Sequence, residues 1–460
     1  MTQQQKLIEF GYDIVCPWAY IASRRIESVA SKHGAKIIWT PVLLGGIYDL
    51  VNAEFGKNNS ASVAFSKTKA AYSARDFRRT VARWNVPLRQ HPKHPVRTVK
   101  AGRLLWACPE SHRAVLTHAL YKAYWVDNLD VSSDAVLQGV LDAAVPELRL
   151  SASVAVEDER NKELLRVATE VAVKRGTPGV PAIFIPDSRL PDGGRMFWGG
   201  DRLHFVEGAL AALDQPTTSL VAVSMPRFTR GPLTRPKTLR MWFDFSSPWT
   251  YLGWTQVGRI LEEAGPLCSL ELRPTLLGIV FKEIGTPVVP SLVVSKQKRE
   301  YSGKDLLFWV DYWNNLPYPV SGERKPVRFQ FNSNFPLRTP IALRMVTAIQ
   351  SEGAPLADVV KLIDTLYHAC WADNIAVSDK NPQPLVKYLD YKGFDGALLL
   401  KKAQSSSANE LLRKNTAEAV QTGVCGFPSF QVDGGELFWG QDRLDVLADH
   451  LFSEKSEQRL

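Results

Sequence analysis

The chain has 460 residues, 45% of them hydrophobic and 22% charged, and a formal net charge of +9; this is the balance of a globular protein with length for two to four domains. The basic excess is spread along the chain and densest only around Arg227, Arg230, Arg235 and Lys237, which argues against a nucleic-acid face and for a diffuse field that favours small anions. Five scattered cysteines without a C-x-x-C, a start with no basic-then-apolar leader, and no apolar run near about 18 residues argue against a disulfide framework, a secretory signal and a membrane span. The expectation is a cytoplasmic protein with a small-molecule partner and no nucleic-acid or membrane partner.

The first element is an apolar strand over Lys6–Val15, followed by a turn at Cys16-Pro17, an amphipathic helix and a second strand over Ala35–Thr40. A strand–helix–strand unit of this length is a right-handed crossover. A long middle follows, then Gly179-Val180-Pro181, an apolar run and Phe197-Trp198-Gly199-Gly200-Asp201-Arg202. Residues 214–237 carry Pro216, Pro226, Pro232 and Pro236 among basic residues and read as a semi-rigid linker. Then the order begins again. A strand over Leu239–Phe245 leads to the turn Ser247-Pro248. The helix from Trp249 sets Leu252, Val257, Ile260 and Leu261 on one face and stops at Gly265-Pro266. A strand over Leu270–Arg273, helical periods over Pro340–Ile349 and Leu356–Ala372, and a hairpin from Pro428 through Asp433-Gly434-Gly435 to Trp439 complete the second pass.

The correspondence is collinear. Asp13…Cys16-Pro17-Trp18-Ala19-Tyr20 matches Asp244…Ser247-Pro248-Trp249-Thr250-Tyr251, and Lys69, Tyr72 and Asp76 match Lys298, Tyr301 and Asp305. Trp125-x-Asp127-Asn128 matches Trp371-x-Asp373-Asn374, where each reads as a helix end, and Phe197 to Leu203 matches Phe438 to Leu444. Every shift falls between 229 and 247 positions, so this is a tandem duplication. The fold class is α/β: two tandem thioredoxin-like folds, each with an α-helical insertion, over residues 1–213 and 238–460. The two copies in one chain are expected to form an intramolecular pseudo-dimer, compatible with a monomer.

Ser247 stands between a strand end and a helix start, where backbone N–H groups are unpaired and the helix dipole is positive. It reads either as an N-cap or as part of an anion site. Phe427-Pro428 and Val180-Pro181 precede the third strand of each copy; a cis bond there would expose a backbone edge for a peptide, and a plain turn is the alternative. Gln441-Asp442 and Asp201 follow Phe-Trp-Gly, where an aspartate either caps a helix or accepts from a ligand's ammonium group. His91 and His94 have metal-like spacing in a proline-broken loop without a counterpart in copy two, so no metal is expected. Cys425 reads as a packed thiol.

Gly423-Val-Cys-Gly426-Phe427-Pro428-Ser-Phe with Glu436-Leu-Phe-Trp-Gly-Gln441-Asp442-Arg443 resembles the signature of 2-hydroxychromene-2-carboxylate isomerases and kappa-class glutathione transferases. Ser247-Pro248-Trp249-Thr-Tyr-Leu-Gly253 is similar to their active-site turn. The resemblance covers copy two and implies glutathione as cofactor. It implies that Ser247 faces the glutathione sulfur, with Pro248 and Trp249 beside it. It further implies that Phe427 before Pro428 pairs with the cysteinyl backbone, that Asp442 beside Gln441 holds the γ-glutamyl end, and that Lys298 contacts the glycyl carboxylate. Val180, Pro181 and Asp201 are the matching positions of copy one. Copy one departs from the pattern: Cys16-Pro17-Trp18-Ala19 is closer to a DsbA-like turn, with Ala19 in place of the resolving cysteine. A thiolate at Cys16, if exposed at the helix start, is expected to have a lowered pKa.

The implied activity is glutathione-dependent isomerisation of a conjugated or aromatic unsaturated carbonyl compound by reversible thiolate addition. The alternatives are net conjugation by a kappa-like transferase, thiol–disulfide chemistry at Cys16, and a non-catalytic binding module. Shifting a thiol from about 8.5 to about 6.5 takes about 2.7 kcal/mol. A hydroxyl donating to a charged sulfur contributes about 1.5–3 kcal/mol and a helix start about 0.3–1 kcal/mol, so no base is required.

Overall fold

The computed structural model describes residues 5–52, 66–221, 231–316 and 326–453. Arg227, Arg230 and Pro226 of the expected linker lie outside the described residues, as do the first four residues and nearly all of the polar tail. The chain divides into two compact units. Unit 1 comprises Met1–Ala64, Phe77–Val223 and Val294–Asn315; unit 2 comprises Phe65–Asp76, Ser224–Val293 and Leu316–Leu460. The units are therefore not two contiguous stretches, because each takes in a piece from the middle of the other repeat.

In unit 1, β1 (Leu7–Tyr12), β2 (Lys36–Pro41), β3 (Ala182–Pro186) and β4 (Gly194–Trp198) form a sheet in the order β2-β1-β3-β4. The β1/β2 pair is parallel and the other two pairs are antiparallel. The Pro17–His33 helix makes the crossover, and Gly34 ends it at φ 62°. Unit 2 repeats this order with β5 (Lys237–Phe243), β6 (Cys268–Pro274), β7 (Ser429–Val432) and β8 (Leu437–Trp439), giving β6-β5-β7-β8. Its crossover helix is Pro248–Ala264. Each sheet is a thioredoxin sheet, and a helical insertion separates its second and third strands.

The first strand ends at Tyr12, earlier than the apolar run to Val15 suggests, because Asp13 turns the chain. Its buried carboxylate accepts from the N–H of Val15 at 3.2 Å, the N–H of Leu44 at 2.8 Å and Thr98 Oγ1 at 2.6 Å. Asp244 does the same in unit 2, accepting from Ser246 N and Leu277 N at 2.9 Å each and from Thr339 Oγ1 at 2.5 Å. Burial raises both carboxyls above the ordinary carboxylate value, and these donors work against that shift. Trp125 Nε1 donates to Ile14 O at 2.9 Å and Trp371 Nε1 to Phe245 O at 2.8 Å. The recurring Asp and Trp thus pin the turn that carries Cys16 or Ser247. Both Trp-x-Asp-Asn segments close helices, with Asn128 and Asn374 left-handed at φ 55° and 53°.

His91 and His94 pack on Tyr124, and His94 Nδ1 lies 2.8 Å from its hydroxyl. Among the described residues, no group of three or more His, Cys, Asp or Glu could hold a metal ion. No described helix is long and apolar enough to cross a membrane.

Candidate functional site

Unit 2 builds its site on the start of the Pro248–Ala264 helix. Ser247 is the N-cap, in extended backbone, and its Oγ accepts from Thr250 N at 3.3 Å. A hydroxyl has one proton and two lone pairs, so capping leaves its O–H available. Pro248 and Trp249 follow in the first turn, both half-buried. Gly253, one turn on, lets the helix approach its neighbours: a Cβ there would stand 2.8 Å from Pro428 Cγ and 3.4 Å from Gln441 Cβ. The Phe427–Pro428 bond is cis, and Pro428 O accepts from Gly440 N at 2.9 Å. Gly440 sits at φ 107°, and a Cβ there would meet Asp442 Oδ1 at 2.4 Å; a glycine is needed on both counts. Asp442 then turns its carboxylate to Arg443, 3.3 Å from Nη1. The structure therefore brings Ser247, Pro248, Trp249, Phe427, Pro428, Gln441 and Asp442 onto three adjoining segments.

Lys298 does not join them. It belongs to unit 1, where its ammonium stands 5.8 Å from the Trp198 ring and burial lowers its pKa. The matching lysine in unit 2 is its repeat partner Lys69, on the first part of the Lys67–Arg83 helix, 5.6 Å from the Trp439 ring and 5.1 Å from that of Phe281. The same helix places Tyr72 and Asp76. Trp439 N donates to Tyr72 Oη at 2.8 Å, and Arg443 Nε lies 3.0 Å from Asp76 Oδ2. Sequence reasoning saw Lys-x-x-Tyr-x-x-x-Asp recur but gave Lys69, Tyr72 and Asp76 no role in this site. The spacing was the signal, since it puts all three on one helix face.

Cys425 is 1% exposed in a cluster with Tyr72, Trp242 and Phe427. Burial pushes its thiol up to about 12, against the pull of Lys69 and Arg75. It is a packed thiol.

Unit 1 repeats the scaffold with different chemistry. Trp198 N donates to Tyr301 Oη at 2.7 Å, and Arg202 reaches Asp305 through Nε and Nη2 at 2.8 and 2.9 Å. Asp201 is 3.0 Å from Arg202 Nη1, with its side chain 38% exposed. Cys16, however, makes no side-chain cap; its Sγ–H donates to Val180 O at 3.4 Å, next to the cis Val180–Pro181 bond. The expected low pKa required exposure, and Cys16 is only 5% exposed. Burial pushes its thiol up to about 12; the N–H groups of Ala19 and Trp18 pull the other way but do not prevail.

A family model described as a DSBA-like thioredoxin domain matches residues 7–211 and again 238–452. Glutathione s-transferase kappa 2 of Caenorhabditis elegans is 25% identical over 221 residues, covering 47% of this chain and 92% of that protein. The 2-hydroxychromene-2-carboxylate isomerase of Pseudomonas putida is 25% identical over 222 residues, covering 46% and 98%. A solved 2-hydroxychromene-2-carboxylate isomerase aligns with a TM-score of 0.37 at 21% identity, over 45% of this chain and 96% of that one.

Proposed function

The chain belongs to the DSBA-like thioredoxin domain family, and on that premise we propose that unit 2 is a glutathione-dependent isomerase site for a conjugated or aromatic unsaturated carbonyl compound. The observation that carries the reading is the N-cap geometry of Ser247: its oxygen accepts from Thr250 N, and its proton is left to give. The residues present fit glutathione. Ser247 and the helix start suit a sulfur anion, the main chain at Phe427-Pro428 suits a cysteinyl unit, Asp442 suits an ammonium group, and Lys69 in place of Lys298 suits a carboxylate. Bound glutathione would supply a sulfur nucleophile for reversible addition to a conjugated alkene and would leave unchanged, which makes it a cofactor.

The chain's own part is to hold the sulfur ionised. Ser247 O–H donates to it, and the first-turn N–H groups and dipole add to that preference. Trp249, half-buried beside Ser247, suits an aromatic substrate. The five cysteines are all free, as suits a reducing compartment. Thiol–disulfide chemistry finds less support, since Cys16 is buried and Ala19 and Thr250 stand at the resolving positions.

The test is turnover of candidate enones with glutathione consumption scored in parallel. Ser247→Ala should slow turnover by about tenfold or more, which is about 1.4 kcal/mol, and Cys16→Ser should leave it nearly intact. Net consumption of glutathione would make the enzyme a transferase. Loss of activity in Cys16→Ser but not in Ser247→Ala would move the chemistry to unit 1 and remove this reading.

A further inference from the structure

The two sheets carry the same face at the same register with different contents. In unit 2, Trp242 on β5 is aligned with Arg273 of β6 and Ser429 of β7. Its indole is fully buried in a cluster with Val280, Ala419 and Leu437. A closed ring of charge lies with it: Arg240–Glu271 at 2.8 Å, Arg240–Glu418 at 3.0 Å, Arg273–Glu271 at 3.0 Å and Arg273–Glu418 at 3.2 Å.

The matching row of unit 1 is Gly11, Thr40 and Ala182. Gly11 stands where β5 has Trp242, and Ile38, Thr40 and Val171 stand where unit 2 has Glu271, Arg273 and Glu418. An indole is missing, and so is the charged ring. What remains is a cavity of about 270 Å³ between this sheet face and the Glu159–Lys174 helix. Trp106, Leu164, Ala168, Phe184 and Met196 are among its walls, and Val167 and Val171 stand at it 40% and 38% exposed. The two charged groups among its described lining residues face each other: Arg175 Nη2 lies 3.1 Å from Glu9 Oε1, and the Arg175 guanidinium lies 4.0 Å from the centre of the Phe184 ring.

We propose that this cavity of unit 1 is a binding site for a neutral bicyclic aromatic molecule of indole size. The size follows from the repeat, where unit 2 holds a covalent indole at the same row. Neutrality follows from the rim, where Arg175 and Glu9, the one cation and one anion among the described residues that line the cavity, already satisfy each other. The walls are apolar and partly open to solvent, as suits a small apolar ligand. The site is separate from the thiol chemistry and does not depend on it.

The test is calorimetric titration of the full chain with indole. Saturable binding is expected, with indole-3-acetate binding no tighter than indole. Ala168→Phe, which fills the cavity from the helix, should weaken indole binding by about tenfold or more. Gly11→Trp rebuilds the arrangement of unit 2 and should do the same, although a Cβ there meets Ala182 Cβ and O at 3.2 Å. If Gly11→Trp fails to fold, Ala168→Phe with an unchanged circular dichroism spectrum decides the matter. No saturable heat with the wild-type chain, or unchanged affinity in folded Ala168→Phe, overturns the proposal.

Discussion

Cys16 and Ser247 occupy the same position, just before the proline that opens a helix, and use it in opposite ways. Ser247 takes a hydrogen bond from the helix and keeps its proton. Cys16 leaves the helix uncapped and donates its S–H to the Val180 carbonyl, beside the cis Val180–Pro181 bond. On the proposed reading, a helix start serves as a site only where its cap residue leaves something to offer. The packing behind the turn is exchanged as well. Unit 2 has a small residue on the helix, Gly253, facing Gln441, whereas unit 1 has Ala22 on the helix facing Gly200, whose Cβ would stand 3.0 Å from that of Ala22. Each unit makes room at one partner for bulk at the other.

If the units are equivalent scaffolds, each should fail when its borrowed helix loses its anchor. Asp305→Ala removes the two short bonds of buried Arg202, which keeps Asp201 as a carboxylate partner, and should cost about 1.5–3 kcal/mol. Asp76→Ala should destabilise unit 2 in the same direction through Arg443. Denaturant unfolding followed by unit-specific tryptophan reporters would read this out, and a loss below about 1 kcal/mol in both variants would mean that these ion pairs do not anchor the borrowed segment within its unit.

A substitution at the exchanged packing sharpens the contrast. Gly253→Ala sets a methyl 2.8 Å from a ring carbon of Pro428, and overpacking of this kind costs about 1–3 kcal/mol. The reverse change in unit 1, Ala22→Gly, creates no clash and should cost only about 1 kcal/mol, from helix propensity. Equal losses in the two variants would erase the distinction between the packings. Smaller again is Asp442→Ala, which should weaken glutathione binding by about tenfold, the value of one charged hydrogen bond. Unchanged affinity by calorimetry removes Asp442 from the site.

Much of this was legible in the sequence. The tandem repeat, the strand order implied by crossover and hairpin, and the turn before each Pro-Trp could all be read from spacing. Lys298 shows what could not. Its triplet with Tyr301 and Asp305 was visible, but nothing local tells a helix which copy of a duplicated sheet it will pack on. Packing sends Lys298 to Trp198 of unit 1 and Lys69 to Trp439 of unit 2. Whether the Cys16 thiol meets the condition of exposure was hidden for a related reason. Helix-start reasoning counts the N–H groups that favour a thiolate, and those of Ala19 and Trp18 do act. It cannot count what covers the sulfur, which is a property of the folded chain.

That covering gives the comparison its most direct test. Burial raises the Cys16 thiol from an ordinary 9.0 to about 12. Below pH 9 the folded and unfolded chains both keep this proton, so Cys16→Ser should leave the pH dependence of stability unaltered there. As pH rises past 9 the unfolded thiol ionises while the folded one stays neutral. The unfolded state then binds fewer protons, and stability falls by up to about 1.4 kcal/mol per pH unit for this group. Cys16→Ser should therefore flatten the alkaline limb of the stability profile, while Cys425 at about 12 and Cys108 and Cys268 at about 11 keep a residual slope of the same sign. Denaturant titrations from neutral pH to about pH 11 measure the difference, and alkylation of native protein at about pH 8 supplies a second reading. Cys16 should resist the reagent. Alkylation at the rate of a free thiol, with no change in alkaline slope on mutation, would mean an exposed thiolate in unit 1 and two working turns where the geometry supports one.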